Sequence, residues 1–136
     1  QAPGEAGMTI AFWCVFVAVL MPYVCFGIAR NRARPLRDNR DPRDFPNRIQ
    51  GIAKRAWSAH LNAFETLPGF AAAVIIAHLA GTPQHLADGW ALAWVAARLL
   101  FIGWYLGDKP GLRSAAHVAS MMCVLGLFVS AAVAAA

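Results

Sequence analysis

Four long apolar runs separated by three polar connections organise this chain. The runs cover residues 8–29, 56–81, 89–107 and 114–136. Each approaches or exceeds the roughly 20 apolar residues a helix needs to cross a hydrocarbon core about 30 Å thick. Little sequence lies outside them, so the pattern predicts a single all-α membrane domain at 8–136, a four-transmembrane-helix up-down bundle. No charge falls between Glu5 and Arg30, so the first run can span unaided. Pro22 within it is expected to bend that helix, because proline removes one backbone hydrogen bond that neighbours must replace. The run is too long, and too bare of leading charge, for a secretory signal. Residues 1–7, polar and glycine-containing, read as an N-terminal remnant ahead of a natural start at Met8.

The connections differ sharply in charge. The stretch 30–55 holds nine of the twelve Lys and Arg residues, with Asp38, Asp41 and Asp44 among them and Pro35, Pro42 and Pro46 breaking regular structure, so it is expected to be irregular and solvated. The second connection, 81–89, has no Lys or Arg, whereas the third, 108–113, brings Lys109 and Arg113. By the positive-inside rule the first and third loops face the cytoplasm and both termini face away from it. Trp57, Trp90 and Trp104 near run ends suit interfacial anchoring. The alanine-rich end, 131–136, favours close helix contact.

Composition agrees: 59% of residues are apolar and the mean hydropathy is +0.49, far above a soluble domain. The net charge of +5 is concentrated in one loop with few aromatics, which speaks against a nucleic-acid reader. Cys14, Cys25 and Cys123 lie inside apolar runs without CxxC spacing and read as small apolar fillers rather than disulfides. His60, His78, His85 and His117 fall on separate segments, so no metal site is expected.

Two charges lie deep within spans, where each costs about 2.5–3.5 kcal/mol on insertion scales. Glu65 follows Arg55 by ten residues on the second run, and Arg98 precedes Gly107 by nine on the third, which runs the opposite way. At 1.5 Å per residue both lie about 14–15 Å in from their cytoplasmic ends, so they can meet as an ion pair. Residues seven apart share a helix face. Arg55, Asn62 and Gly69 therefore line up beside Ser58 and Glu65, while Arg98 and Tyr105 line up with Phe101 between them. The result is a polar seam rising from the cytoplasmic surface. One reading is a buried pair that only fixes helix register. The other is a cavity for an anionic ligand, since Arg30, Arg55, Arg98 and Arg113 supply more positive charge than Glu65 neutralises.

The run Ala59-His60-Leu61-Asn62-Ala63-Phe64-Glu65-Thr66-Leu67-Pro68-Gly69-Phe70, supported by Ala97-Arg98-Leu99, Tyr105 and Leu112-Arg113, resembles the signature of the MAPEG family, membrane-associated proteins in eicosanoid and glutathione metabolism. The resemblance covers the chain from Met8 and is similar to bacterial members, which implies a bacterial inner-membrane location. It further implies a homotrimer of four-helix subunits in membrane lipid, binding glutathione between subunits near the cytoplasmic face. Asn62 and Glu65 would hold the tripeptide, His60 and Arg55 would contribute, Arg98 and Tyr105 would line the site, and Arg113 would stabilise the thiolate as the catalytic residue. A free thiol has a pKa of about 8.5, and an adjacent guanidinium increases its nucleophilic fraction. Three departures stand out. Ser58 occupies a position where family enzymes usually carry arginine, Phe101 one where tyrosine is common, and the third loop is one residue longer.

The resemblance implies a glutathione-dependent transferase or peroxidase for lipophilic small-molecule electrophiles, with glutathione as co-substrate and no metal. Its alternative is a non-catalytic lipid- or anion-binding or scaffold protein of the same fold, for which the missing arginine at Ser58 speaks. A small transporter carrying protons on Glu65 is a third reading, disfavoured by Arg98 at matching depth.

Overall fold

The computed structural model describes residues 7–36 and 39–136. The expected N-terminal remnant, Gly7 apart, lies outside the described residues, as do two positions of the first loop. Four helices, each long and apolar enough to cross a membrane, follow in order: α1, Ile10–Arg32; α2, Gly51–Leu79; α3, Gln84–Leu106; α4, Pro110–Ala135.

Ring and side-chain contacts fix their directions. Phe12 meets His78 at one end of α1 while Phe26 meets His60 at the other, so α1 and α2 are antiparallel. Between α2 and α3, Phe70 lies on Trp94 and Arg55 reaches Leu106. Between α3 and α4, Arg98 reaches His117 and Trp90 lies against Gly126. The topology is therefore up-down, with α2 and α4 parallel.

Small residues on the inward stripes let these helices approach. Ala11, Cys14, Ala18, Met21, Cys25 and Ala29 recur every three or four positions along α1, and Ala53, Ala56, Ala63, Ala73 and Ala77 answer them on α2; all are buried. In lipid such packing, rather than expulsion of water, drives helices together. Phe16, Leu20, Val24, Leu99, Leu100, Val129 and Val133 point outward, as residues facing acyl chains do. At mid-bundle the Phe70 and Trp94 rings stack with centroids 3.8 Å apart and planes 3° from parallel. α1 runs unbroken through the buried Pro22.

The first loop departs from a fully solvated strand of chain. Short 3-10 turns form at Arg34–Leu36 and Pro42–Asn47, and Phe45 and Ile49 pack against Ala29, Ala33, Ala53 and Ala56. Two apolar side chains among many charges thus pin the loop to the ends of α1 and α2. α2 itself starts at Gly51, ahead of its apolar run, and its 29 residues extend about 43 Å, past the hydrocarbon thickness.

The turns are tightly made. α2 ends in a Schellman motif: Thr82 N–H donates to Ala77 O at 3.0 Å and Gly81 N–H to His78 O at 3.2 Å, with Gly81 at φ +79°, where a Cβ would be strained. α3 ends in the same way around Asp108 at φ 58°, one of the few side chains that tolerate the left-handed region. At the opposite end, Thr9 Oγ1 accepts from Phe12 N–H at 3.1 Å. Asp88 of α3 accepts from Ala11 N–H at 2.9 Å and from Gln84 Nε2 at 2.6 Å, so a carboxylate from one helix caps the N-terminus of another. Asp88→Ala is expected to lower stability by about 1–2 kcal/mol and Asp88→Asn by less, read as unfolding in detergent micelles. An unshifted midpoint for the alanine variant would contradict the cap.

Candidate functional site

Helical spacing brings three stripes to one cavity. Ser58, Leu61, Asn62 and Glu65 recur at three- and four-residue steps on α2; Phe101 and Tyr105 lie one turn apart on α3; Arg113 and His117 lie one turn apart on α4, beside Ser114 and Val118. These residues line a space of about 480 Å³. Its wall combines a carboxylate, an amide, a phenol, a guanidinium and an imidazole with Leu61, Phe101 and Val118 as apolar surface.

Arg113 lies in the first turn of α4, its backbone N–H donating to Lys109 O at 2.9 Å. Its guanidinium carbon lies 4.4 Å from the centre of the Tyr105 ring, a cation–π contact that orients a long side chain without neutralising it. Glu65 is exposed on its helix face and has no hydrogen-bond or ion-pair partner among the described residues.

Arg98 corrects the expected ion pair. It is 1% exposed and makes no salt bridge with Glu65. Instead Nη2 donates to Asn62 Oδ1, Nη1 faces His117 Nδ1 at 3.2 Å, and the guanidinium lies 4.0 Å from the Phe101 ring centre. The reason is angular. Positions three apart on a helix are turned from each other by about 60°, so depth along the axis does not decide which of Asn62 and Glu65 a neighbour meets. Arg98 stands behind the cavity wall and supports it from the core side.

Two other expected site residues also lie off this wall. Arg55 Nε donates to Leu106 O at 3.2 Å, satisfying a carbonyl at the end of α3, and its side chain borders a small cleft that adjoins the cavity, since Tyr105 and Arg113 line both. His60 turns toward α1: Nδ1–H donates to Trp57 O at 2.6 Å, and the ring packs among Phe26, Trp57 and Phe64. Asn62, Glu65, Tyr105 and Arg113 do come together. His117 was missing from the sequence expectation, although its place four residues after Arg113 puts both on one face of α4.

Comparison with known protein families matches residues 10–133, from the start of α1 to the last turns of α4, to the family described as MAPEG. The chain belongs to the MAPEG family. No curated protein matches it. MAPEG membership, together with four membrane-spanning helices, makes the chain an integral membrane protein and supports a membrane role in glutathione or eicosanoid metabolism in general.

Proposed function

We propose that this MAPEG protein is a glutathione-dependent transferase or peroxidase for lipophilic electrophiles. The observation that carries the reading is the meeting of Asn62, Glu65, Tyr105 and Arg113 on one cavity of about 480 Å³, roomy enough for a ligand larger than the few waters a small void holds. The tripeptide's ammonium group suits the unpaired Glu65 carboxylate, its amides suit Asn62 and Tyr105, and its thiolate suits Arg113. The apolar partner lies against Leu61, Phe101 and Val118. The proton released by the thiol leaves through the cytoplasmic mouth.

Glu65 also supports assembly. Exposed on a single chain near the middle of α2, its charge would meet lipid at a cost of about 2.5–3.5 kcal/mol. In a homotrimer a neighbouring copy covers that face and turns an open groove into an enclosed site. The cationic loop beyond α1, with Lys109 just before α4 and Arg113 in its first turn, supports a cavity mouth toward the cytoplasm and both termini away from it, in what we take to be a bacterial inner membrane.

Glutathione titrated into protein purified in detergent tests this reading. Saturable binding is expected, and Glu65→Gln is expected to weaken it by about tenfold to a hundredfold through loss of a charge-assisted contact. Wild-type protein that binds no glutathione would overturn the proposal. A second reading, a lipid- or anion-binding or scaffold protein without turnover, is favoured by Ser58, which lines the cavity where family enzymes usually carry arginine, while Arg55 donates to Leu106 O. Lipid copurifying in the cavity, undisplaced by glutathione, would support it.

A further inference from the structure

Arg98 determines the chemistry of two wall residues that it does not resemble. A guanidinium has five N–H donors and no acceptor, so its contact with His117 Nδ1 at 3.2 Å requires that Nδ1 accept. The imidazole proton of His117 is therefore on Nε2. The same guanidinium donates to Asn62 Oδ1, which turns the amide N–H donors of Asn62 away from it. Burial at 1% exposure and the Phe101 ring at 4.0 Å hold Arg98 in this place. His117 lines the cavity with Glu65 and Phe101. Among the described residues His117 Nε2 makes no hydrogen bond, with Glu65 or any other acceptor. Four residues beyond Arg113 on α4, His117 sits about 6 Å deeper along the helix.

We infer that His117 is a fixed Nε2–H donor for an oxygen of the lipophilic co-substrate, and that the co-substrate class it fits is an α,β-unsaturated aldehyde or ketone. The inference rests on the transferase reading, in which Arg113 at the mouth holds the thiolate and leaves the deeper donor to the electrophile. The sulfur lone pair forms a bond to the β-carbon. The C=C pair shifts toward the carbonyl carbon, and the C=O pair moves onto oxygen. The resulting enolate oxygen accepts from His117 Nε2–H, and one proton from solvent, balancing the one the thiol released to it, reaches the α-carbon and completes the thioether. His117 lends a hydrogen bond and not its proton, because Nδ1 is already engaged as an acceptor and loss of the Nε2 proton would leave an imidazolate. Arg98 is a positioning residue that acts through this ring. A donor aimed at the atom where charge develops lowers the barrier, whereas an electrophile that develops no negative oxygen gains nothing from it.

The test compares wild type, His117→Phe and His117→Gln as purified trimer, with a long-chain 2-alkenal and with benzyl bromide, whose leaving group carries no oxygen. His117→Phe is expected to lose about a hundredfold in kcat/KM for the alkenal and at least tenfold less than that for benzyl bromide, so that the ratio of the two activities shifts against the alkenal. Gln, whose side-chain amide reaches a similar point, restores part of the alkenal activity. Equal losses on both electrophiles, or none on either, overturn the assignment. Nitrogen-15 spectra of histidine-labelled wild type provide a readout independent of turnover: the Nε2–H tautomer is expected at His117, and an Nδ1–H tautomer or an imidazolium overturns the donor. Absence of both thiolate absorbance and turnover in wild type would sink the transferase reading, and the co-substrate assignment with it, leaving the nitrogen spectrum to decide the donor by itself.

Discussion

Arg113→Ala is expected to abolish most of the ultraviolet absorbance that bound glutathione thiolate gives at neutral pH, and to lower turnover with any electrophile by about tenfold to a hundredfold. Removing a guanidinium beside a thiol raises the thiol pKa by about one to two units, and each unit is tenfold in the thiolate fraction above neutrality. The effect is large because Arg113 faces the cavity without a carboxylate partner among the described residues and is oriented by Tyr105 at 4.4 Å. Its charge is free to act on a ligand. Arg113→Lys preserves the charge but loses the flat contact with the ring, so it should retain intermediate absorbance. Tyr105→Leu should weaken the effect in the same direction by freeing the arginine to swing into water. Thiolate absorbance that survives in Arg113→Ala would show that another group ionises the thiol.

The second large effect is on stability. Phe70→Ala is expected to cost about 3 kcal/mol, at the low end of the range for emptying an aromatic site, read as a lower denaturant midpoint in micelles. The low end applies because a helix separated from its neighbours in lipid keeps its apolar surroundings, so the loss comes mainly from the void and from missing dispersion contacts. Phe70 is fully buried and stacks at 3.8 Å on Trp94, itself 1% exposed. Trp94 Nε1–H has no partner among the described residues, so the indole is held by ring contact rather than by a hydrogen bond. Phe70→Leu should recover about half of the loss. A change below about 1 kcal/mol in the alanine variant would mean that α2 and α3 are joined elsewhere.

Hydrophobic run length and loop charge made the four helices legible, since a spanning helix must satisfy its own backbone and leaves a long apolar signature. The α2 and α3 faces of the candidate cavity were legible too: Asn62, Glu65 and Tyr105 follow from helical spacing and the family signature, and Arg113 from the excess of arginine around the seam and from the signature. The partner of Arg98 was not. Counting residues gives depth in the membrane but not the angle at which two helices face each other, and that angle gave Arg98 to Asn62 and His117. His60 went the other way for a related reason: its own turn carries Trp57 and Phe64, and those rings draw it to α1. His117 escaped because a lone histidine in an apolar run carries no signature until a neighbour's guanidinium stands opposite its ring. The buried Phe45 and Ile49 were masked by the charges around them.

The overlong α2 ties the opening of the site to the thickness of the surrounding bilayer. The helix stretches about 43 Å against a hydrocarbon layer of about 30 Å, and Ser58, Asn62 and Glu65 are rigidly spaced along it. In a thinner membrane the headgroups recede from this ladder and water reaches further down it; in a thicker one, lipid climbs toward Ser58 and screens the rungs. Reconstitution into lipids of graded chain length would therefore adjust how readily a water-borne ligand reaches the cavity, with no change in any side chain.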